Sequence, residues 1–121
     1  MTITQCLHTA ILVTDLAKAE EFYSHILGLS KAKERAANFP GSWYQIGEYQ
    51  IHLIVNADFN NQILNSDKWG RNSHLALGTD NLAEVMANLQ SHGYPLQMSS
   101  SGRAAIFTKD PDGNILEISQ I

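Results

Sequence analysis

The hydrophobic positions along this chain change period several times, and the changes come in two matching sets. The stretch "QCLHTAILV" reads as an apolar strand, and from Leu16 the positions Leu16, Ala19, Phe22, Tyr23 and Ile26 recur at 3- and 4-residue spacing, as one face of a helix does. The same order returns at "RNSHLALGTD", followed by Leu82, Val85, Met86 and Leu89 at helical spacing. Overlaid, residues 5–28 and 71–93 each carry a strand histidine (His8 or His74), then Thr-Asp, then a helix closed by a glycine. Asp15 and either Asp80 or Asn81 suit the N-cap, while Gly28 and Gly93 suit the left-handed residue after a helix. His25 and His92 fall in the last turns, where they read as surface residues that complement the helix dipole. Three strand-like segments follow each helix, at about 31–37, 42–47 and 49–55 and again at 95–98, 103–109 and 114–120. The repeated unit is βαβββ. Module 1 covers about 4–55 and module 2 about 73–121. Residues 56–72, polar apart from Phe59, Ile63, Leu64 and Trp69, read as a linker or lid with room for a helical turn.

The last segment, "DPDGNILEISQI", poses a chemical problem. Asp110 to Gly113 are turn formers, and alternation along the following strand puts Ile115, Glu117, Ser119 and Ile121 on one face. Glu117 is thus flanked by apolar groups, and a carboxylate so placed needs a partner charge, a set of hydrogen bonds or a metal. The repeat supplies candidates. His8 and His74 stand 66 positions apart, and His52, in "YQIHLIV", stands 65 positions from Glu117. Four potential ligands therefore occupy two equivalent pairs of positions. Imidazole and carboxylate suit Fe, Ni, Co, Mn or Zn and leave open positions on a six-coordinate ion. If the two halves curl about a pseudo-twofold axis, their first and last strands face a shared cleft, and small neighbours such as Ala10, Ala76 and Gly78 leave room in it. The expected fold is α+β, a single domain of two βαβββ modules forming a curved mixed sheet around a metal-binding cleft. A metal-free arrangement, in which these residues bind a ligand or bond one another, stays open.

Bulk properties narrow the partners. A chain of 121 residues is one domain's worth, and 44% hydrophobic with 17% charged residues is an ordinary globular composition. A net charge of −4 without a basic cluster argues against nucleic acid and anionic membranes and leaves a small molecule as the expected partner. No apolar run approaches the roughly 20 residues of a membrane span, and "MTITQCLHTA" has no secretory pattern, so a cytoplasmic location is expected. The single cysteine, Cys6, cannot form an internal disulfide and reads as a small buried hydrophobe.

The stretches "LHTAILVTDLAKAEEFYSHILGL", "SHLAL" and "FTKDPDGNILEI" together resemble the vicinal oxygen chelate superfamily, which includes glyoxalase I, bleomycin and fosfomycin resistance proteins, methylmalonyl-CoA epimerase and extradiol dioxygenases. The resemblance implies paired βαβββ modules, a homodimer, and one divalent metal that chelates vicinal oxygens of a substrate. It places the metal on His8, His52, His74 and Glu117. Proteins similar to glyoxalase I carry glutamate at the position of His52, and the epimerases carry glutamine. Extradiol dioxygenases have a tyrosine at the position of Phe107 and a histidine within Met98–Ser101, both absent here. Fosfomycin-type transferases have threonine where this chain has Ala10. Bleomycin-type binders lack the ligands that this chain keeps.

The resemblance therefore favours a lyase or isomerase like glyoxalase I, acting on a small carbonyl or hemithioacetal substrate, with Glu117 or His52 as the catalytic base. Arg103 and Arg71 are candidates for holding an anionic substrate, and Trp43, Tyr44, Trp69 and Phe107 for walling the cleft or packing in the core. The rival readings are a non-haem iron dioxygenase built on His8, His74 and Glu117, with His52 as base, and a non-catalytic binding or resistance protein.

Overall fold

The computed structural model describes residues 2–121 and divides into two compact units, the first ending at Phe59 and the second running Asn60–Ile121. In the first unit β1 (His8–Val13) leads through α1 (Leu16–Glu20) to β2 (Ser30–Lys31), β3 (Gly41–Ile46) and β4 (Tyr49–Val55). The sheet order is β1-β4-β3-β2, with β1 parallel to β4 and the remaining pairs antiparallel. Two parallel neighbours require a crossover, and the helix provides it. Asp15 caps α1 by accepting from the Lys18 amide at 3.1 Å.

After Glu20 the helix widens into a π-turn, Glu21–Ile26, in which the Leu27 amide reaches back five residues to the Phe22 carbonyl at 2.9 Å. Ala19, the adjacent pair Phe22 and Tyr23, and Ile26 are all buried, against a sheet face that carries Tyr44, Ile51 and Leu53. Tyr44 belongs to this core: it is fully buried and its hydroxyl shares a 2.7 Å hydrogen bond with Ser24, so it walls no cleft. Burial pushes its phenol pKa up.

The second unit repeats the plan as β5 (Leu75–Thr79), α2 (Leu82–Ser91), β6 (Leu96–Met98), β7 (Ala105–Lys109) and β8 (Ile115–Gln120), in the order β5-β8-β7-β6 with β5 parallel to β8. Asn81, rather than Asp80, is the N-cap and accepts from the Glu84 amide at 3.1 Å. The Leu82 amide donates to Gln120 Oε1 at 2.9 Å and so ties α2 to the last strand. Gly28 and Gly93 close the two helical segments at φ of 75° and 78°, where a side chain would be strained. His25 and His92 are exposed at the helix ends, His25 paired with Glu21 at 2.9 Å. A 3₁₀ turn, Trp69–Arg71, precedes β5.

Three expectations change. The strand expected over 31–37 shrinks to Ser30–Lys31: pairing with β3 stops after the Ala32 amide meets the Trp43 carbonyl, and the Ala-Ala-Asn-Phe-Pro run beyond favours strands poorly. The Arg35 guanidinium donates to the Phe39 carbonyl and closes that loop on itself. Strand β7 begins at Ala105, which leaves Arg103 in the preceding turn. Cys6 is exposed, ahead of β1, because the strand starts only at His8. Among the described residues no helix is long and apolar enough to cross a membrane.

One ion pair fastens helix to sheet in the first unit. Glu20 accepts from the Lys31 ammonium and from the hydroxyl of buried Ser42 at 2.7 Å, and these bonds, the lysine's first, hold its carboxyl below the usual range against the opposing effect of burial. A carboxylate with a depressed folded pKa adds stability above its ordinary value and loses it as pH falls. Glu20→Gln is expected to cost about 1 kcal/mol at pH 7. Urea titrations should show the gap from the parent closing as pH drops below the ordinary 4.5.

Candidate functional site

Sheet register explains the sequence offset. His52 lies between Ala10 of β1 and Trp43 of β3, and Glu117 lies between Ala76 of β5 and Phe107 of β7. His8 and His74 each precede those alanines by two residues, which keeps them on the same side of the chain. Each unit thereby pairs one residue at the start of its first strand with one in its last strand.

In the first unit the pair is a stack. The His8 and His52 rings lie 4.0 Å apart at 12°, and the Trp43 ring lies 4.0 Å from His52 at 6°. His52 Nε2 is 2.8 Å from Gln50 Oε1, while the Gln50 amide nitrogen donates to Gln45 Oε1 at 2.6 Å. With the amide nitrogen committed to Gln45, the oxygen faces the imidazole, so His52 donates from Nε2 and keeps its lone pair on Nδ1. Burial first, then the charges of His8 and Arg35, lower its pKa and favour the neutral ring.

In the second unit the pair is polar. His74 Nδ1 donates to the Asn72 carbonyl at 2.7 Å, which fixes the tautomer and leaves the Nε2 lone pair facing Glu117 Oε1 at 3.7 Å. Asn72 is itself held firmly: its amide donates to the carbonyls of Asn65 at 2.8 Å and Trp69 at 3.0 Å, and its Oδ1 accepts from the Asn65 amide at 2.9 Å. Glu117 is 7% exposed. Its Oε2 accepts from Ser119 at 3.1 Å and its Oε1 from Arg103 Nη2 at 3.3 Å. The buried carboxylate thus has both a partner charge and hydrogen bonds, as its burial requires.

A cavity of about 300 Å³ opens beside this pair, lined by Glu117, Phe107, Arg103, Arg71, Gly70 and Ser101 among others. Phe107 presents its ring to the edge of His74 at 5.4 Å, and Gly70 packs so closely that a Cβ there would stand 2.5 Å from Phe107 Cζ. Trp69 is not part of this wall. Its indole N–H donates to the Ser66 carbonyl at 3.1 Å, and its ring carries the Lys109 ammonium at 4.2 Å. The space at Gly78 is filled by Ile121, 3.0 Å from where a Cβ would stand.

Among the described residues, no three His, Cys, Asp or Glu side chains form a group that could hold a metal ion, so the arrangement consists of two pairs. Their donor chemistry suits a borderline divalent ion. His74 offers Nε2 with Nδ1 anchored on a carbonyl, the usual preparation of a metal-ligating imidazole, and Glu117 Oε1 faces the same lone pair. His52 is held neutral and offers Nδ1. Of the supporting residues, Gln50 and Ser119 each lie two positions from a candidate ligand on the same strand, a spacing that marks a shared face and that the sequence showed for Ser119, whereas Asn72 lies in the loop before β5.

Comparison with known proteins agrees with this fold. The sequence model of the Glyoxalase/Bleomycin resistance protein/Dioxygenase superfamily matches residues 5–118. The chain belongs to this superfamily. A Vibrio cholerae protein named "Probable lactoylglutathione lyase" is 25% identical over 94% of this chain and 88% of its own length. The lactoylglutathione lyase of Salmonella typhimurium is 26% identical over 93% of this chain and 89% of its own. The solved structure of a glyoxalase/dioxygenase from Nostoc punctiforme has the same fold, with a TM-score of 0.79 at 18% identity, over 97% of this chain and 90% of that one.

The hydrogen-bond pattern fixes two tautomers that can be read directly. Long-range ¹H–¹⁵N spectra of the metal-free protein at neutral pH are expected to show His74 protonated on Nδ1 and His52 protonated on Nε2. Asn72→Ala, which removes four side-chain bonds of the loop, should destabilise the fold by about 1–3 kcal/mol in urea and broaden the His74 signals.

Proposed function

We propose that this protein is a metal-dependent lyase or isomerase of the glyoxalase I type, acting on a small carbonyl or hemithioacetal substrate, with His8, His52, His74 and Glu117 as the ligands of one divalent ion. The observation that carries this reading is the His74–Glu117 pair: an anchored imidazole with its lone pair turned toward a buried carboxylate, at positions that the repeat matches with His8 and His52. Relatives named lactoylglutathione lyase support the reaction type. The ligands come from one chain or, in a homodimer, from two.

When bound, the ion supplies Lewis acidity to a substrate carbonyl. The chain's own residues do the rest. The proton on the adjacent carbon goes to Glu117 or His52. Arg71 and Arg103 line the cavity beside Glu117 and attract an anionic group of the substrate, while Phe107 gives that cavity an apolar wall. Gly70 packs directly against the Phe107 ring, where a Cβ would stand 2.5 Å from Cζ.

A three-ligand variant has an observation of its own. His52 is clasped between His8 and Trp43 and bonded to Gln50, so it suits a base beside an ion held by His8, His74 and Glu117. That ligand set is also the one a non-haem iron dioxygenase would use.

Ni, Co, Mn, Fe or Zn is expected to raise the unfolding temperature and a chelator to lower it, because a ligand of the native state alone stabilises that state. Glu117→Gln should lower turnover of a hemithioacetal by about 10²–10⁴-fold, the usual contribution of a positioned base. In metal titrations His52→Ala should weaken binding at least about tenfold and His52→Glu should retain it if His52 is a ligand. Equal affinity in both variants selects the three-ligand site. Absence of any metal effect, or oxygen uptake with a catechol and no isomerisation, would overturn the lyase reading.

A further inference from the structure

Arg103 occupies a telling position. Of the two oxygens of Glu117, Oε2 is held by Ser119, while Oε1, the oxygen that faces His74 Nε2, is held by Arg103 Nη2 at 3.3 Å. That is the oxygen a cation shared with His74 would take. The contact is single rather than two-pronged, and the arginine side chain is 58% exposed and stands in the turn before β7. Its second anchorage lies outside the carboxylate: Nε donates to Ser101 Oγ at 3.0 Å, and Ser101 in turn bonds Ser99 at 2.8 Å. A guanidinium held at its neck by a serine and at its tip by a carboxylate can release the tip and stay in the cavity.

We propose that Arg103 is a latch on Glu117: it neutralises the buried carboxylate in the metal-free protein, yields Oε1 to the incoming divalent ion, and then turns its freed guanidinium to the anionic group of the substrate. The proposal rests on the metal reading above. Its consequence is coupling. Metal loading releases a cation into the same cavity that Arg71 and Lys68 line, so metal and anionic substrate favour one another, and by linkage the effect runs equally in both directions. A purely structural arginine would stabilise the fold to the same extent with and without metal.

The test compares zinc titration calorimetry and thermal unfolding of the parent, Arg103→Ala and Lys68→Ala, the last removing a cavity cation that has no bond to Glu117. Arg103→Ala is expected to bind zinc at least about fivefold more tightly, since a charge-assisted competitor for the same oxygen is gone, while Lys68→Ala stays within about twofold because it is a more distant, screened charge. Without metal, Arg103→Ala should unfold about 3 °C lower, and the loss should vanish in a Glu117→Gln background and with saturating zinc. If the alanine variant does not fold, Arg103→Gln, which removes the charge and keeps a hydrogen-bonding group, is measured in its place with the same expectation. Zinc affinity in Arg103→Ala equal to or weaker than the parent's overturns the latch alone. A parent that takes up no metal overturns the metal site and the latch with it.

Discussion

Each unit is closed by a parallel pairing of its first strand with its last, β1 with β4 and β5 with β8, and most else in the molecule follows from that constraint. Parallel neighbours cannot be joined by a tight turn, so a helix must cross over between β1 and β2 and again between β5 and β6. The last strand is then paired on both sides, and it buries Ile115, Leu116, Glu117 and Ile118 in β8 and Ile51 and Leu53 in β4. A polar residue in such a strand meets neighbours from two others. That is why His52 and Glu117, rather than residues of the edge strands, acquire the dense surroundings described above.

The same burial sets the electrostatic problem that the second unit solves. A carboxylate 7% exposed is costly unless each oxygen has a partner, and here one oxygen has a hydroxyl and the other a guanidinium. The loop before β5 is organised for the complementary task. Asn72 spends its amide on backbone groups of residues 65–69 and its own carbonyl on His74, so a turn with little regular structure nevertheless holds an imidazole in one tautomer. Rigidity at this site comes from hydrogen bonds to the backbone, not from the packing of a core.

Much of the fold was legible because it rests on local signals. Helical spacing from Leu16 and Leu82, the caps at Asp15 and Asn81, and the glycines after each helix all act within a few residues, and the two-module α+β plan follows from their repetition. The offset between His8 and His74, and between His52 and Glu117, reads straight onto sheet register. The rest depends on contacts that the sequence does not announce. Strand β2 ends early because Arg35 bonds a carbonyl four residues on, and the π-turn arises where two adjacent aromatics are both buried. Trp69 turns to a lysine forty residues away, and Cys6 stays outside a strand whose first residue is His8. Among the partners of the candidate ligands, Gln50 and Ser119 carried a usable signal in their two-residue spacing along a strand, whereas Asn72 acts from an irregular loop that no periodicity marks.

The two pairs, equivalent in register, have diverged in chemistry, and the divergence indicates which does what. His8, His52 and Trp43 form a stack of flat rings, and burial first, then the charges of His8 and Arg35, lower the His52 pKa. His74 and Glu117 stand instead among an arginine, a serine and a cavity with further cations, where the energies are set by charge and change when charge arrives. The carboxylate is confined to one half, where Arg103 and Ser119 balance it, while the equivalent position of the other half carries an imidazole between two flat rings.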